Sequence, residues 1–325
     1  MGRQKSGTAA SLAAVLSVLL FGHASAQPPV ETGAGPDAVP FLGGERTIAE
    51  IESQLARDIP RRFRQVGTSS VTLRIDFQGA SAAAFKPRTR SHPRGFQAEI
   101  AAYRVARMLG MDNVPPVVPR QLPRPLLDNR FESDDPSDWE PLRREILWDS
   151  PGVVRGATIY WVPSLERSSL DTVSGLQRAA DWLRVGGALP DGAAAEARDL
   201  STMIAFDYLI GNWDRFSGGN VSSDGAGRLY VRDHNVAFQA PLNDARYTRV
   251  QAHLERVQRF SRGFVERVEA LDQASLEGAL RISDGQASLL VPAQIDELME
   301  RRLALLSYVG GLVSVHGAED VLVWE

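Results

Sequence analysis

No cysteine occurs anywhere in the 325 residues, which excludes disulfide scaffolds, thiol nucleophiles and cysteine-ligated zinc. Histidine is scarce as well. Five are scattered along the chain with no His-x3-His pair and no HExxH, so a zinc hydrolase is not expected. Nor is there an excess of basic charge: 36 basic against 40 acidic residues give a net charge of −4, which argues against nucleic acid as a partner. The most informative shortage is lysine, because only Lys5 and Lys86 among the 36 basic residues are lysines. What remains, 43% hydrophobic and 23% charged residues, suffices for one large or two medium domains with a sizeable core.

Arg3 and Lys5 precede an apolar run from Thr8 to Phe21 that ends in Ala24-Ser25-Ala26 before Gln27, the order of parts in a secretory signal peptide. The run is short for a membrane span, and no other stretch is long enough for one. The expected mature chain therefore starts at Gln27, is secreted or periplasmic, is not integral to a membrane, and carries 34 basic and 40 acidic residues. It then holds a single lysine. Either Lys86 is a compositional leftover, or chemistry there needs a compact ammonium on a flexible stem, which the wider planar guanidinium does not reproduce. The neighbourhood decides.

Residues 27–45, rich in proline and glycine, predict a flexible linker or loosely docked arm. Thr47 caps a predicted helix from Ile48 to Asp58. Val71, Leu73, Ile75 and Phe77 alternate with Thr72, Arg74 and Asp76 as a half-buried strand. The turn Gly67-Thr68-Ser69-Ser70 precedes it, and Gln78-Gly79-Ala80-Ser81 follows as a hairpin into a second strand, Ala82–Lys86. Gly95–Gly110 predicts a helix with an apolar stripe of Phe96, Ile100, Tyr103 and Ala106; Glu99 falls inside that stripe, where a carboxylate needs a partner. Val114–Val118 opens another strand, residues 119–149 read as a surface insertion, and Val153–Val162 is a strand stopped by Pro163. Residues 46–163 thus form a mixed lobe on an antiparallel sheet. Residues 164–325 form a second lobe, helical over 166–210 and 246–310, with a polar loop Gly211–Asn220 and a strand Arg228–Arg232 ending at Asp233.

A small-residue turn, a strand-end lysine, an inward glutamate on the next helix, an apolar strand running into a hinge, a loop with Asp and Asn, and a strand ending in Asp follow one another in the order of a two-lobed kinase. The expected fold is α+β: a small antiparallel-sheet lobe with one helix, and a larger, mainly helical lobe. Phosphoryl transfer uses each part. The lysine neutralises nucleotide phosphates, the glutamate holds the lysine, the loop Asp orients the acceptor hydroxyl, and the Asn and final Asp hold metal ions.

Phe85-Lys86-Pro87-Arg88, Glu99 in AEIAAYRVARMLGMDNVPPVV, FDYLIGNWDR and DHNVAF resemble the atypical kinases that include the Golgi casein kinases and four-jointed, with type II phosphatidylinositol 4-kinases and HipA-type kinases as more distant relatives. The resemblance covers roughly residues 60–245. It implies that Asp214 is the catalytic aspartate, that Lys86 and Glu99 are the nucleotide-positioning pair, and that Asp233, with Asn220, holds Mg²⁺ or Mn²⁺. ATP would lay its phosphates against Lys86 and the turn Gly67, Thr68, Ser69 and Ser70, and its base against the hinge Tyr160, Trp161 and Val162. The implied acceptor is a hydroxyl of a protein, a carbohydrate or a lipid. A kinase-like module that binds a partner protein without transfer, and transfer of AMP by the same fold, stay open. Three positions depart from the family pattern. Phe216 replaces the usual histidine, Asn220 lies six rather than five residues after Asp214, an extra residue that Gly218-Gly219 could absorb, and Asn235 replaces a glycine. Asp207 reads as structural and Arg215 as a brace for the loop. His234 reads as a loop residue, not a ligand, and the sequon Asn220-Val221-Ser222 as accidental, because a glycan there would block the site.

Overall fold

Thr47 opens α1 (Ile48–Arg57) with a capping box: its hydroxyl accepts the Glu50 N–H at 3.2 Å, and the Glu50 carboxylate accepts the Thr47 N–H at 2.8 Å. The computed structural model describes residues 38–42, 44–67, 70–78, 81–150, 152–282 and 288–325. The signal-peptide segment 1–26, linker residues 27–37, turn residues Thr68 and Ser69, and hairpin residues Gly79 and Ala80 lie outside them. Five strands, β1 (Pro60–Gln65), β2 (Leu73–Phe77), β3 (Ala82–Pro87), β4 (Val117–Pro123) and β5 (Val153–Tyr160), make an antiparallel sheet in the order β1-β2-β3-β5-β4. In β2 the side chains of Leu73, Ile75 and Phe77 are buried while Arg74 and Asp76 are half-buried, the period of two read from the sequence.

Residues 119–149 are not a surface insertion. Pro119 pairs with Ala157 and Pro123 with Val153 in β4. The prolines are tolerated because β4 is an edge strand, where a missing N–H need not break a ladder. The chain then forms α3 (Arg124–Arg130) and α4 (Trp139–Glu145), which bury Leu127 and Leu142. The small lobe therefore carries α3 and α4 in addition to α2 (Gly95–Met108) and α1, the two helices that the sequence predicted there.

The linker expectation is corrected over its last part. Phe41 is 5% exposed and meets Tyr160 and Tyr230 edge-on, with ring centroids 5.8 and 6.2 Å apart. Proline and glycine interrupt regular structure, but they do not prevent one aromatic from docking. Phe41→Ala should destabilise the protein by about 3 kcal/mol in urea unfolding; a change well under about 1 kcal/mol would restore the flexible reading.

The larger lobe contains β6 (Glu166–Arg167), α5 (Val173–Arg178), α6 (Ala194–Ile210), β7 (Val221–Ser223), β8 (Leu229–Val231), α7 (Asp244–Leu254), α8 (Arg262–Ala270), α9 (Gln273–Ala279), α10 (Pro292–His316) and α11 (Ala318–Val321). β6, β7 and β8 form a three-stranded sheet. From Met203 to Ile210, α6 is buried on every side, as its unbroken apolar run predicts. Two hydrophobic cores result. One joins α1 to the sheet through Ile51, Leu55, Phe63, Leu73, Ile75, Phe85 and Val154. The other is shared by α2 and the helical lobe, with Ala98, Ala101, Ala102 and Ala106 in one cluster with Leu200, Ile204 and Val221. Small residues on α2 let it pack closely, so the helix that carries Glu99 is fixed to both lobes. No helix among the described residues is long and apolar enough to cross a membrane.

Candidate active site

Lys86 lies near the end of β3, opposite Ala157 of β5. The neighbouring pair, Phe85 against β5, depends on Gly156: a Cβ there would come within 2.5 Å of the Phe85 ring and 2.6 Å of the Lys86 carbonyl oxygen. Lys86 Nζ donates to Glu99 Oε1 at 2.6 Å and to Asp233 Oδ1 at 2.7 Å. Three residues singled out in the sequence thus meet at one ammonium. Glu99, 1% exposed, also accepts the main-chain N–H of His234 at 3.0 Å and faces His234 Nδ1 at 3.4 Å. Burial by itself would push the Lys86 pKa down, but the Glu99 and Asp233 carboxylates outweigh it and hold the ammonium above the ordinary lysine range. Burial likewise opposes ionisation of Glu99, yet Lys86 and then His234 bring its pKa well below that of a free carboxylate. The Lys86–Glu99 pair is charged across neutral pH.

Asp233 follows β8 with φ +64°, a left-handed conformation that aspartate tolerates better than most residues. Its carbonyl accepts from Asn212 Nδ2 at 3.3 Å, and the same amide reaches Asp207 Oδ1 at 3.1 Å. Asp207 and Arg215 form a bidentate pair, Nε to Oδ2 at 2.7 Å and Nη2 to Oδ1 at 2.9 Å, with both side chains buried. Arg215 Nη1 donates further to the Asn220 carbonyl at 3.1 Å and to the Arg232 carbonyl. The brace therefore runs from the end of α6, through the Asp214 loop, to the residue before Asp233.

Asp214 is half-buried and caps a 3₁₀ turn over residues 215–217. Its carboxylate accepts no hydrogen bond among the described residues, while its carbonyl accepts from Asn220 Nδ2 at 3.0 Å. The extra residue between Asp214 and Asn220 falls where Gly218 and Gly219 have φ of +103° and +95°, which a side chain would resist. Sequence reasoning missed what holds this stretch. Asp171, fully buried, accepts the N–H groups of Asn220 at 3.2 Å and Val221 at 3.1 Å, and that of Gly219, and pairs with Arg167 at 2.9 Å. His234 was likewise undervalued: it is a second partner of Glu99. Neither role carried a local signal, since the N–H groups that Asp171 gathers lie 48 to 50 residues away and Glu99 lies 135 residues from His234.

Ser70 lines one small cavity with Lys86 and Asn235, and Gly67 has φ +73°. At the hinge, the N–H groups of Tyr160 and Trp161 are spent on the carbonyls of Pro116 at 2.8 Å and Ala82 at 3.2 Å. Arg46 donates to the Tyr160 hydroxyl at 3.0 Å, and the Arg74 guanidinium lies 4.7 Å from the Trp161 ring centroid. Among the described residues no three His, Asp or Glu side chains form a ready metal cage. The Asp233 carboxylate, which accepts from Lys86, is 34% exposed.

The fold is that of the Golgi casein kinases. A crystal structure of the Golgi casein kinase superposes with a TM-score of 0.64 at 17% identity over 84% of this chain and 78% of that one. The same kinase with Mn/ADP bound gives 0.63 at 18% identity, covering 84% and 78%. Hydra Fam20 with sugar gives 0.63 at 15% identity, covering 88% and 96%. No protein-family model matches the chain, and no curated protein matches it in sequence. The likeness to these kinase structures is one of fold, and both the mixed α/β sheet lobe and the helical lobe agree with it.

Proposed function

We propose that the chain is an ATP- and metal-dependent phosphotransferase that acts on a hydroxyl of a protein, carbohydrate or lipid outside the cytoplasm. The observation that carries this reading is the single ammonium of Lys86 held between Glu99 and Asp233. Kinase-fold neighbours, one of them with Mn/ADP bound, support it. In this reading Lys86 meets nucleotide phosphates and Glu99 keeps its stem in place. Asp233, with Asn220, would hold Mg²⁺ or Mn²⁺, which when bound neutralises charge on the transferring phosphoryl group. Asp214 accepts the proton of the acceptor hydroxyl; its carboxylate accepts no hydrogen bond among the described residues. The Asp207–Arg215 pair and Asp171 keep that loop in register with the strand end that precedes Asp233.

Asp233→Asn tests the metal assignment. The amide keeps the volume but removes the charge that faces the cation, and Glu99 remains to pair Lys86, so the fold should survive. Calorimetric titration with ATP in the presence of Mn²⁺ should show affinity reduced at least about tenfold. Unchanged affinity would remove Asp233 from the site.

A further inference from the structure

Trp213 precedes Asp214 and Phe216 lies two residues after it, and both line a second cavity. With Val173 they line a hollow of about 230 Å³, whose other lining includes Arg249 and His253 of α7 and Arg256 just beyond it. The Arg246 and Arg249 guanidiniums lie 4.4 and 6.0 Å from the Trp213 ring centroid, and the Phe216 and His253 rings are 4.8 Å apart.

The charge here is unlike that of other arginine clusters in the molecule. Arg62, Arg64 and Arg74 share Asp76, Arg88 and Arg155 share Asp149, and Arg228 pairs with Asp199 and Asp112. Arg246 instead meets the amide of Gln239, and among the described residues neither Arg249 nor Arg256 has a carboxylate within ion-pair distance. Burial, reinforced by Arg256 and Arg249 and opposed by Asp207, holds His253 down to about 4, so its ring is neutral in a positive surrounding. The Trp213 indole nitrogen and His253 Nδ1 are buried without a hydrogen-bond partner. Val173, 53% exposed, leaves apolar surface at the rim.

We propose that this cavity binds an acidic sugar unit, one six-membered ring carrying a carboxylate or phosphate. Guanidiniums suit the anion, and the aromatic and apolar floor suits the C–H face of the ring. Hydroxyls, which both donate and accept, suit the indole and imidazole nitrogens that lack partners. An acidic peptide side chain would serve the guanidiniums alone and leave the floor wet. Because Trp213 and Phe216 belong to the loop that carries Asp214, the unit anchors the acceptor; that assignment rests on the phosphotransferase reading, whereas the binding itself does not.

The test is calorimetric titration of the full chain, without nucleotide, with glucose 6-phosphate, glucose, inorganic phosphate and an acidic peptide. Glucose 6-phosphate should bind at least about tenfold more tightly than each of the other three. The double variant Arg249→Gln/Arg256→Gln should lose about tenfold or more of that affinity, with an unchanged unfolding midpoint and unchanged Mn²⁺–ADP affinity. Phosphate binding as tightly as the sugar phosphate, tighter binding of the peptide, or a double variant that binds like the unmodified protein would each overturn the proposal. Absence of Mn²⁺–ADP binding in the unmodified protein would instead overturn the phosphotransferase reading, and sugar-phosphate binding would still support the cavity.

Discussion

Lys86→Met should abolish phosphotransfer and lower stability together. The methionine leaves Glu99 buried with only His234 beside it, and breaking a buried ion pair by removing one partner costs about 3–5 kcal/mol. Lys86→Arg separates the two effects. Its positive charge still faces Glu99 and Asp233, so most of the stability should return, whereas the planar guanidinium cannot reproduce a point charge in a site that leaves Lys86 8% exposed. Turnover in Lys86→Arg should still fall by about a hundredfold or more, the usual loss when a group that stabilises transition-state charge is removed. Combining Lys86→Met with Glu99→Gln should restore part of the stability lost in the single variant, because the uncompensated carboxylate is then gone. The measurements are urea unfolding and a radiolabelled-ATP transfer assay. A Lys86→Arg protein with normal turnover would make the lone lysine a compositional accident.

Asp207→Ala should be the most destabilising substitution in the large lobe, by about 3–5 kcal/mol in urea unfolding. It strands Arg215, 2% exposed, whose remaining bonds are to the Asn220 and Arg232 carbonyls. Replacing both partners by apolar residues of similar volume, as in Asp207→Leu/Arg215→Met, should recover much of that loss, since no charge is left buried. Transfer activity should not recover with it. The pair ties the Asp214 loop to the strand end before Asp233, and misplaced catalytic groups lose rate even in a folded protein. Full activity in the stable double variant would show that the brace is structural only.

Much of this was legible locally. The alternation of β2, the apolar stripe of α2 with Glu99 inside it, and the all-round apolarity of α6 follow from the periods of strand and helix. The lone lysine needed only counting. Legibility failed where composition misled. Prolines in β4 suggested an insertion, because their tolerance depends on the strand being at an edge, and glycines before Phe41 hid a docked aromatic.

The sequence by itself determined the order of parts, from the strand-end Lys86 through the inward Glu99 and the Asp214 loop to Asp233, because each is declared by residues within a turn or two of it. Only the tertiary structure decided how they are joined. Lys86 reaches Asp233 across 147 residues, His234 reaches Glu99 across 135, and Asp171 gathers N–H groups 48 to 50 residues ahead of it. Hydrophobic period is a local property of the chain, whereas a buried charge is satisfied by whichever partner the packed cores bring within about 3 Å, and that choice is made in three dimensions.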